Sequence, residues 1–185
     1  MPADERELSV PADEPGPRMP ANEPGVSGTV VTPGTGRVVV IGIGNEFRRD
    51  DGIGPEVLAR LPGQAAESVR LVLSDGDPAG LIEAWTGASL AVVVDAVRAD
   101  PPVPGRLHRM VVDPADAARI QPVSSHGLGL GEAIGLARAL ARMPGRLIIH
   151  AVEAADLGQG VGLTPAVAAA ADALTSAVLR DLAAG

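Results

Sequence analysis

The stretch Leu90-Ala-Val-Val-Val-Asp95 decides the fold, because five consecutive apolar residues run directly into a carboxylate. A short apolar run of this kind is typical of a strand that is buried on both faces of a parallel sheet. Such a sheet requires helices on both sides, so the expected fold is α/β. Asp95 stands at the mouth of this strand, where a carboxylate is more typical of a functional site than of a core.

Further strands are predicted on either side of this stretch. Short apolar runs predict strands at Val38–Ile41, Arg70–Leu73 and Arg146–Val152, and a weaker run predicts an edge strand at Leu107–Val112. Helical patterns separate these runs. We therefore expect a three-layer α/β fold with an open, twisted, mostly parallel sheet of about five strands and helices on both faces.

The helices have recognisable starts and stops. Apolar residues recur at helical spacing over Ile53–Leu61. A Leu/Ala-rich helix after His126 is expected to run to about Met143, where Pro144-Gly145 would stop it. Thr164-Pro165 offers an N-cap and a proline at the first helical position, which predicts the start of a C-terminal helix.

Composition excludes several classes of function. The chain has 185 residues, no cysteine and only 1% aromatic residues. Disulfides, thiolate metal sites and cysteine nucleophiles are therefore excluded. Nucleic-acid binding is not expected, because there is no basic stripe and almost no aromatic side chain to stack on bases. No signal region and no membrane-length apolar run occur, so we expect a cytoplasmic protein without membrane contact.

The N-terminal segment differs from the rest of the chain. Within the first 25 residues, six carboxylates and two arginines contribute −4 of the net charge of −8. Residues 1–36 are also rich in proline and glycine, and such a composition buries too little apolar surface to offset the entropy of ordering. We predict a disordered acidic Pro/Gly-rich tail over residues 1–36 and a single α/β domain over residues 37–185.

Polar residues gather after the predicted strands. In an open parallel sheet, ligands bind in the crevice beyond the carboxyl ends of the strands. The segment Gly42-Ile-Gly-Asn45 follows the first strand and leads to Asp50-Asp51, while Asp75 and Asp95 end the next two strands. His126 lies in a loop that opens a helix and can reach the same crevice. Taken alone, the two adjacent aspartates also fit caps of the following helix.

These residues allow three interpretations. Gly42-x-Gly44 begins a dinucleotide-binding fingerprint, but Phe47 stands where the third glycine is needed, and two carboxylates would repel a pyrophosphate. A Ser-His-Asp hydrolase is disfavoured, because Ser124 and Ser125 adjoin His126 without a Gly-x-Ser-x-Gly elbow. Two carboxylates and an imidazole instead make a three-ligand set with open positions, which suits nickel or zinc.

Six short motifs occur in order along the chain. They are Gly42-Ile-Gly-Asn45, Asp50-Asp-Gly-Ile-Gly54, Asp75-Gly76, Val94-Asp-Ala96, Ser125-His-Gly-Leu128 and Gly162-Leu-Thr-Pro165. This ordered set resembles the hydrogenase maturation protease family, which trims the large subunit of nickel-iron hydrogenases. The resemblance spans Val38 to the C-terminal helix. It implies a peptidase domain over residues 37–185.

The resemblance also implies roles for particular residues. Asp51, Asp95 and His126 would be the catalytic and metal-binding side chains, while Asp50 keeps the capping role. Contacts to the substrate are predicted for four crevice residues: Gly42, Gly44, Asn45 and Asp75. The nickel would be supplied by the substrate, so no tightly bound cofactor is expected in the resting enzyme. The partner would be the precursor of the hydrogenase large subunit, and we expect a monomer.

Two departures from the family pattern bear on these expectations. The first ligand is Asp51, whereas some members have glutamate at this position. Aspartate is one methylene shorter, so its carboxylate has less reach. Asp77-Pro78 stands where Gly-Thr is common, which affects expected substrate contacts in that loop. Two alternatives stay open: an aspartate-dependent peptidase of the same fold, similar to the spore germination endopeptidases, and a non-catalytic metallocentre chaperone that binds the precursor. A nucleotide-binding module ranks last.

Overall fold

The computed structural model describes residues 37–63, 65, 68–112 and 129–184. Within these ranges strands and helices alternate as the sequence predicts, except that the fourth strand follows the third without an intervening helix. The strands are β1 (Val38–Ile43), β2 (Val69–Ser74), β3 (Leu90–Val97), β4 (Leu107–Val112) and β5 (Leu147–Glu153). The helices are a short 3-10 helix (Arg49–Gly52), α1 (Ile53–Arg60), α2 (Pro78–Trp85), α3 (Gly129–Ala139) and α4 (Pro165–Ala183). The predicted tail, residues 1–36, lies outside the described residues.

The five strands form one mostly parallel sheet in the order β2-β1-β3-β5-β4. Strand β1 pairs in parallel with β2 and β3, and β3 pairs in parallel with β5. Strand β4 pairs antiparallel with β5 at the edge, as its weaker apolar pattern predicts. Strand β3 lies at the centre and is buried along its whole length, which explains its uninterrupted apolar sequence.

Helices cover both faces of the sheet and enclose two apolar cores. One face packs against α2 and α3 through residues that include Ile41, Val93, Trp85, Leu130 and Ile134. The other face packs against α1 and α4 through residues that include Val40, Val92, Val57, Val167 and Leu174. Successive residues of a strand point to opposite faces, so β1 and β3 contribute to both cores. The three-layer α/β prediction is confirmed.

The boundaries of two elements differ from the prediction. Strand β3 does not end before Asp95 but continues to Val97, because β5 still pairs with it after the pairing to β1 ends at Val94. Helix α3 ends at Ala139 and does not reach Met143.

In the described parts of the chain, no helix is both long enough and apolar enough to cross a membrane.

Candidate active site

Close backbone contacts fix the 3-10 helix and the first turn of α1 against the carboxyl end of β1. A Cβ atom on Gly42 would lie 2.6 Å from the carbonyl oxygen of Gly54, and one on Gly44 would lie 1.9 Å from that of Asp51. Gly44 also has a φ of +133°, in the region that favours glycine. The structure thus gives both Gly42 and Gly44 a packing role, and their predicted contact with substrate stays a prediction.

Asp51 is held at the carboxyl end of β1 and is only 1% exposed. Its Oδ2 accepts a hydrogen bond from the backbone N–H of Asn45 at 3.0 Å. The guanidinium of Arg48 lies 3.7 Å from the same oxygen. Asp51 also stands in the acidic first turn of the 3-10 helix, so this contact is compatible with the expected alternative in which it complements the helix dipole.

Asp95 is fully buried in the central strand. The residue before it, Val94, pairs with Gly42 of β1, whereas Asp95 itself pairs with Ala151 of β5. Asp95 therefore sits one position beyond the last β1 partner, at the border of the crevice. Residues of the 3-10 helix lie within 8 Å of residues in β3, measured between Cα atoms. The fold thus brings the element that carries Asp51 beside the strand that carries Asp95.

The third member of the predicted trio, His126, lies outside the described residues. Within residues 37–112 and 129–184, as far as they are described, no group of three or more His, Cys, Asp or Glu side chains is arranged to hold a metal ion. The described chain resumes at Gly129, the first residue of α3. A Cβ on Gly129 would lie 2.3 Å from the carbonyl oxygen of Gly76, so α3 begins against the loop that follows β2.

Asp50 does not cap its own helix, which corrects the prediction. Its buried carboxylate crosses to the loop between β5 and α4. Oδ2 accepts the backbone N–H groups of Ala155 and Asp156 at 2.8 and 2.9 Å and the hydroxyl of Thr164 at 3.0 Å. Oδ1 accepts the N–H of Thr164 at 2.6 Å. Thr164 occupies the N-cap position of α4 as predicted, but its hydroxyl serves Asp50 and not the helix.

The two remaining predicted contact residues are exposed in the loops beside the crevice. Asn45 accepts the N–H of Phe47 through its side-chain oxygen at 2.9 Å. Asp75 accepts the N–H of Asp77 at 3.1 Å. Asp77 in turn caps α2 by accepting the N–H of Gly80 at 2.8 Å. The unusual Asp77-Pro78 pair is therefore a helix start, with aspartate at the N-cap and proline at the first helical position.

The other two histidines are hydrogen-bonded to carboxylates. His150 is buried on β5, and its Nε2 lies 2.7 Å from Oδ2 of Asp181 on α4. Burial lowers the pKa of His150 despite this neighbour. The pKa of Asp181 is also lowered, chiefly by hydrogen bonds from Arg109 on β4. Both shifts agree with a neutral imidazole that donates to an ionised carboxylate.

Glu153, at the end of β5, was not singled out by the sequence. It is 2% exposed and accepts the N–H of Val103, and its Oε1 lies 2.8 Å from Nε2 of His108. The hydrogen bond from Val103 is the main cause of its lowered pKa. Glu153 thus fastens the loop before β4 to the end of β5. Only the three-dimensional contact shows this role, because nothing in the local sequence distinguishes Glu153.

Comparisons with known proteins agree with this architecture. The family model described as hydrogenase maturation protease matches residues 56–181. The hydrogenase 2 maturation protease of Escherichia coli strain K12 is 26% identical over 148 residues, which are 79% of this chain and 90% of that protein. The hydrogenase expression/formation protein HupD of Rhodobacter capsulatus is 30% identical over 150 residues, which are 79% of this chain and 71% of that protein.

A solved structure shares the fold. The hydrogenase maturating endopeptidase HybD from Escherichia coli superposes with a TM-score of 0.67 at 24% identity, and the match covers 79% of this chain and 91% of that one. The fold is therefore the α/β fold of the maturating endopeptidases. The chain belongs to the hydrogenase maturation protease family, and it is an endopeptidase.

Proposed function

We propose that this endopeptidase removes the C-terminal extension from the immature large subunit of a nickel-iron hydrogenase after nickel has been inserted. The observation that carries the proposal is the burial of two carboxylates, Asp51 (1% exposed) and Asp95 (0%), on adjoining elements at the crevice end of the sheet. Carboxylate and imidazole groups suit nickel, and open positions remain for atoms of the substrate. Family membership supplies the class of reaction.

The metal ligands in this proposal are Asp51, Asp95 and His126. The backbone N–H of Asn45 orients the carboxylate of Asp51 before any substrate arrives. His126 precedes Gly129 by three residues in the sequence, and Gly129 lies against the loop after β2. Because the nickel comes with the precursor, the resting enzyme needs no tightly bound cofactor. A precursor without nickel lacks the ion that would draw it to these side chains.

The reaction is the hydrolysis of one peptide bond beside the ion. A water molecule gives a proton to a carboxylate of the site, and its oxygen forms a bond to the scissile carbonyl carbon. The carbon–nitrogen bond then breaks, and the departing amine receives the proton. The buried positions of Asp51 and Asp95 keep both carboxylates out of bulk water, which strengthens their interaction with a cation.

The proposal is tested with purified precursor in nickel-loaded and nickel-free forms, with cleavage followed by mass spectrometry. We expect cleavage of the nickel-loaded form only. Asp51→Asn, Asp95→Asn and His126→Ala should each slow cleavage about 100-fold or more. Asp172→Asn is the matched control, because its side chain on α4 is 94% exposed and lies outside the crevice. It should cleave at the wild-type rate.

Other outcomes identify the alternatives. Equal cleavage of both precursor forms would contradict recognition of nickel. Normal cleavage by His126→Ala, with both aspartates still essential, would indicate an aspartate-dependent peptidase similar to the germination endopeptidases. Binding of the precursor without any change in its mass would indicate a metallocentre chaperone.

We also propose that the enzyme is a monomer and that it acts in the cytoplasm. Both expectations come from the sequence. Sedimentation of the purified protein alone and with precursor would give the mass of the free enzyme and of the complex. A dimeric free enzyme would contradict this part of the proposal without affecting the chemistry.

A further inference from the structure

A cleft of about 430 Å³ lies between the loops that follow β3 and β5. The first loop contributes Arg98, Ala99 and Pro102, and the second contributes residues 154–158. Both strands run in parallel, so the cleft opens at the same end of the sheet as the crevice. Its volume is in the range of sites that hold small ligands or a few residues of a peptide.

The cleft carries an unbalanced positive charge. Arg98 is exposed, and it forms no hydrogen bond or ion pair with the part of the chain that the structure describes. The one carboxylate in the lining, Asp156, is already engaged. Its Oδ2 lies 3.1 Å from Nε of Arg49, and its Oδ1 accepts the N–H of Gly158 at 2.7 Å. The remaining cation therefore favours a negatively charged occupant, although the whole chain carries a net charge of −8.

The cleft adjoins the candidate active site through covalent and hydrogen-bonded connections. Arg98 lies three residues after Asp95 and is the first residue after the end of β3. On the opposite wall, the N–H groups of Ala155 and Asp156 bond to Asp50, the neighbour of Asp51. An occupant of the cleft would thus lie beside the peptide bond that the site cleaves.

We propose that this cleft is a specificity subsite in which Arg98 binds an acidic side chain of the precursor close to the cut. A guanidinium presents two parallel N–H donors that match a carboxylate, which gives directional recognition as well as charge. Ala99, Pro102 and Leu157 provide apolar contact for the stem of the bound side chain. The inference rests on the proposed function, because it takes the precursor as the substrate.

The experiment measures KM and kcat with nickel-loaded precursor for wild type, Arg98→Glu and Arg146→Glu. Arg146 is the matched control: it is exposed and immediately precedes β5, at the opposite end of the sheet, and its substitution makes the same change in charge. We expect Arg98→Glu to raise KM about tenfold with kcat within about twofold of wild type. Arg146→Glu should leave both constants unchanged. Replacing the acidic residues of the precursor near the cut with lysine, one at a time, should restore the KM of Arg98→Glu at one position.

Each result separates the inference from the proposed function. If wild type leaves nickel-loaded precursor uncut, the proposed function is overturned and the subsite falls with it. If wild type cleaves but Arg98→Glu and Arg146→Glu have the same KM, only the subsite is overturned. A lower KM for Arg98→Glu would also overturn it, and would indicate that an acidic segment of this chain occupies the cleft. A loss confined to kcat would contradict a role in binding.

Discussion

Two adjacent carboxylates in this chain make different contacts. Asp50 accepts four hydrogen bonds from residues more than a hundred positions away, whereas Asp51 turns back toward the loop after β1. Both are buried, so exposure does not distinguish them. Their partners do: backbone donors surround both oxygens of Asp50, which makes it a structural anion. Asp51 lies on the element beside β3 and is the carboxylate to which we assign the proposed chemistry.

Asp50→Asn and Asp51→Asn form a matched pair that separates stability from activity. Both oxygens of Asp50 face backbone N–H donors, so an amide NH₂ group in place of either oxygen would oppose a donor. We expect Asp50→Asn to lower the free energy of unfolding by about 3 kcal/mol. Asn at position 51 keeps an oxygen for the N–H of Asn45, so its stability should stay within about 1 kcal/mol of wild type.

Urea unfolding provides the stability measurement, and cleavage of precursor provides the activity measurement. Asp51→Asn should be folded and inactive. Asp50→Asn should be less stable and retain activity in proportion to the folded fraction. Similar losses of stability in both variants would contradict this division of roles.

At the scale of single elements, the end of α3 shows a limit of local sequence patterns. The N–H of Arg142 bonds to the carbonyl oxygen of Ala137 at 2.7 Å, and that of Ala141 bonds to Arg138 at 3.1 Å. This is the Schellman arrangement, in which a left-handed residue ends the helix. Ala141 is that residue, with a φ of +53°. Glycine usually fills this position. The sequence pattern therefore predicted that the helix ends at Pro144-Gly145, several residues after its actual end.

Ala141→Gly is therefore expected to stabilise the protein. A left-handed conformation costs a residue with a Cβ about 1 kcal/mol, and glycine avoids this cost. We expect the free energy of unfolding to rise by about 1 kcal/mol in urea titrations. The control is Ala139→Gly, at the last residue of α3, where the added freedom of glycine should lower it by about 0.5 kcal/mol. Destabilisation by both substitutions would contradict the assigned role of Ala141.

The positions of the elements were more predictable than the contacts between them. Strand β3 is apparent in the sequence because it is buried on both faces, which leaves no polar residue among Leu90–Val94. The weak pattern of Leu107–Val112 likewise reflects an exposed edge. The partners of Asp50 were not predictable, because Thr164 is 114 residues away and no periodicity records such a contact. The burial of Asp51 likewise depends on contacts between elements that are distant in the sequence.

At the scale of the whole molecule, one network joins the edge of the sheet to the C-terminal helix. Arg109 on β4 donates to Asp181 on α4, and Asp181 also accepts from His150 on β5. Three elements from distant parts of the chain therefore share one carboxylate. Since His150 is kept neutral by burial, the stability of this assembly depends on pH.

Acid should weaken the fold in two stages. The pKa of His150 is lower in the folded state, so below about pH 6.5 the unfolded chain binds a proton that the folded chain does not. The contribution of His150 to the free energy of unfolding is present above about pH 6.5 and is lost as the pH falls through the pKa that His150 has in the folded state. The pKa of Asp181 is also lowered, so its contribution is present above about pH 3.9 and is lost as the pH falls further.

Urea unfolding midpoints at pH 7.5 and 5.5 test the first stage. The wild-type midpoint should be lower at pH 5.5. His150→Gln can still donate to Asp181 but does not titrate, so its midpoint should change less between the two values. An equal decrease in wild type and His150→Gln would show that other groups cause the pH dependence.

The anchoring of the loop between β5 and α4 by Asp50 has a consequence for the kinetics of recognition. Gly160, in the same loop, also exchanges backbone hydrogen bonds with Phe47 and Arg49 at 2.9 and 2.8 Å. This loop forms one wall of the cleft and is tied along its length before any precursor binds. Ordering of this wall therefore adds little to the entropy cost of association, which would favour fast binding of the precursor in the subsite that we propose.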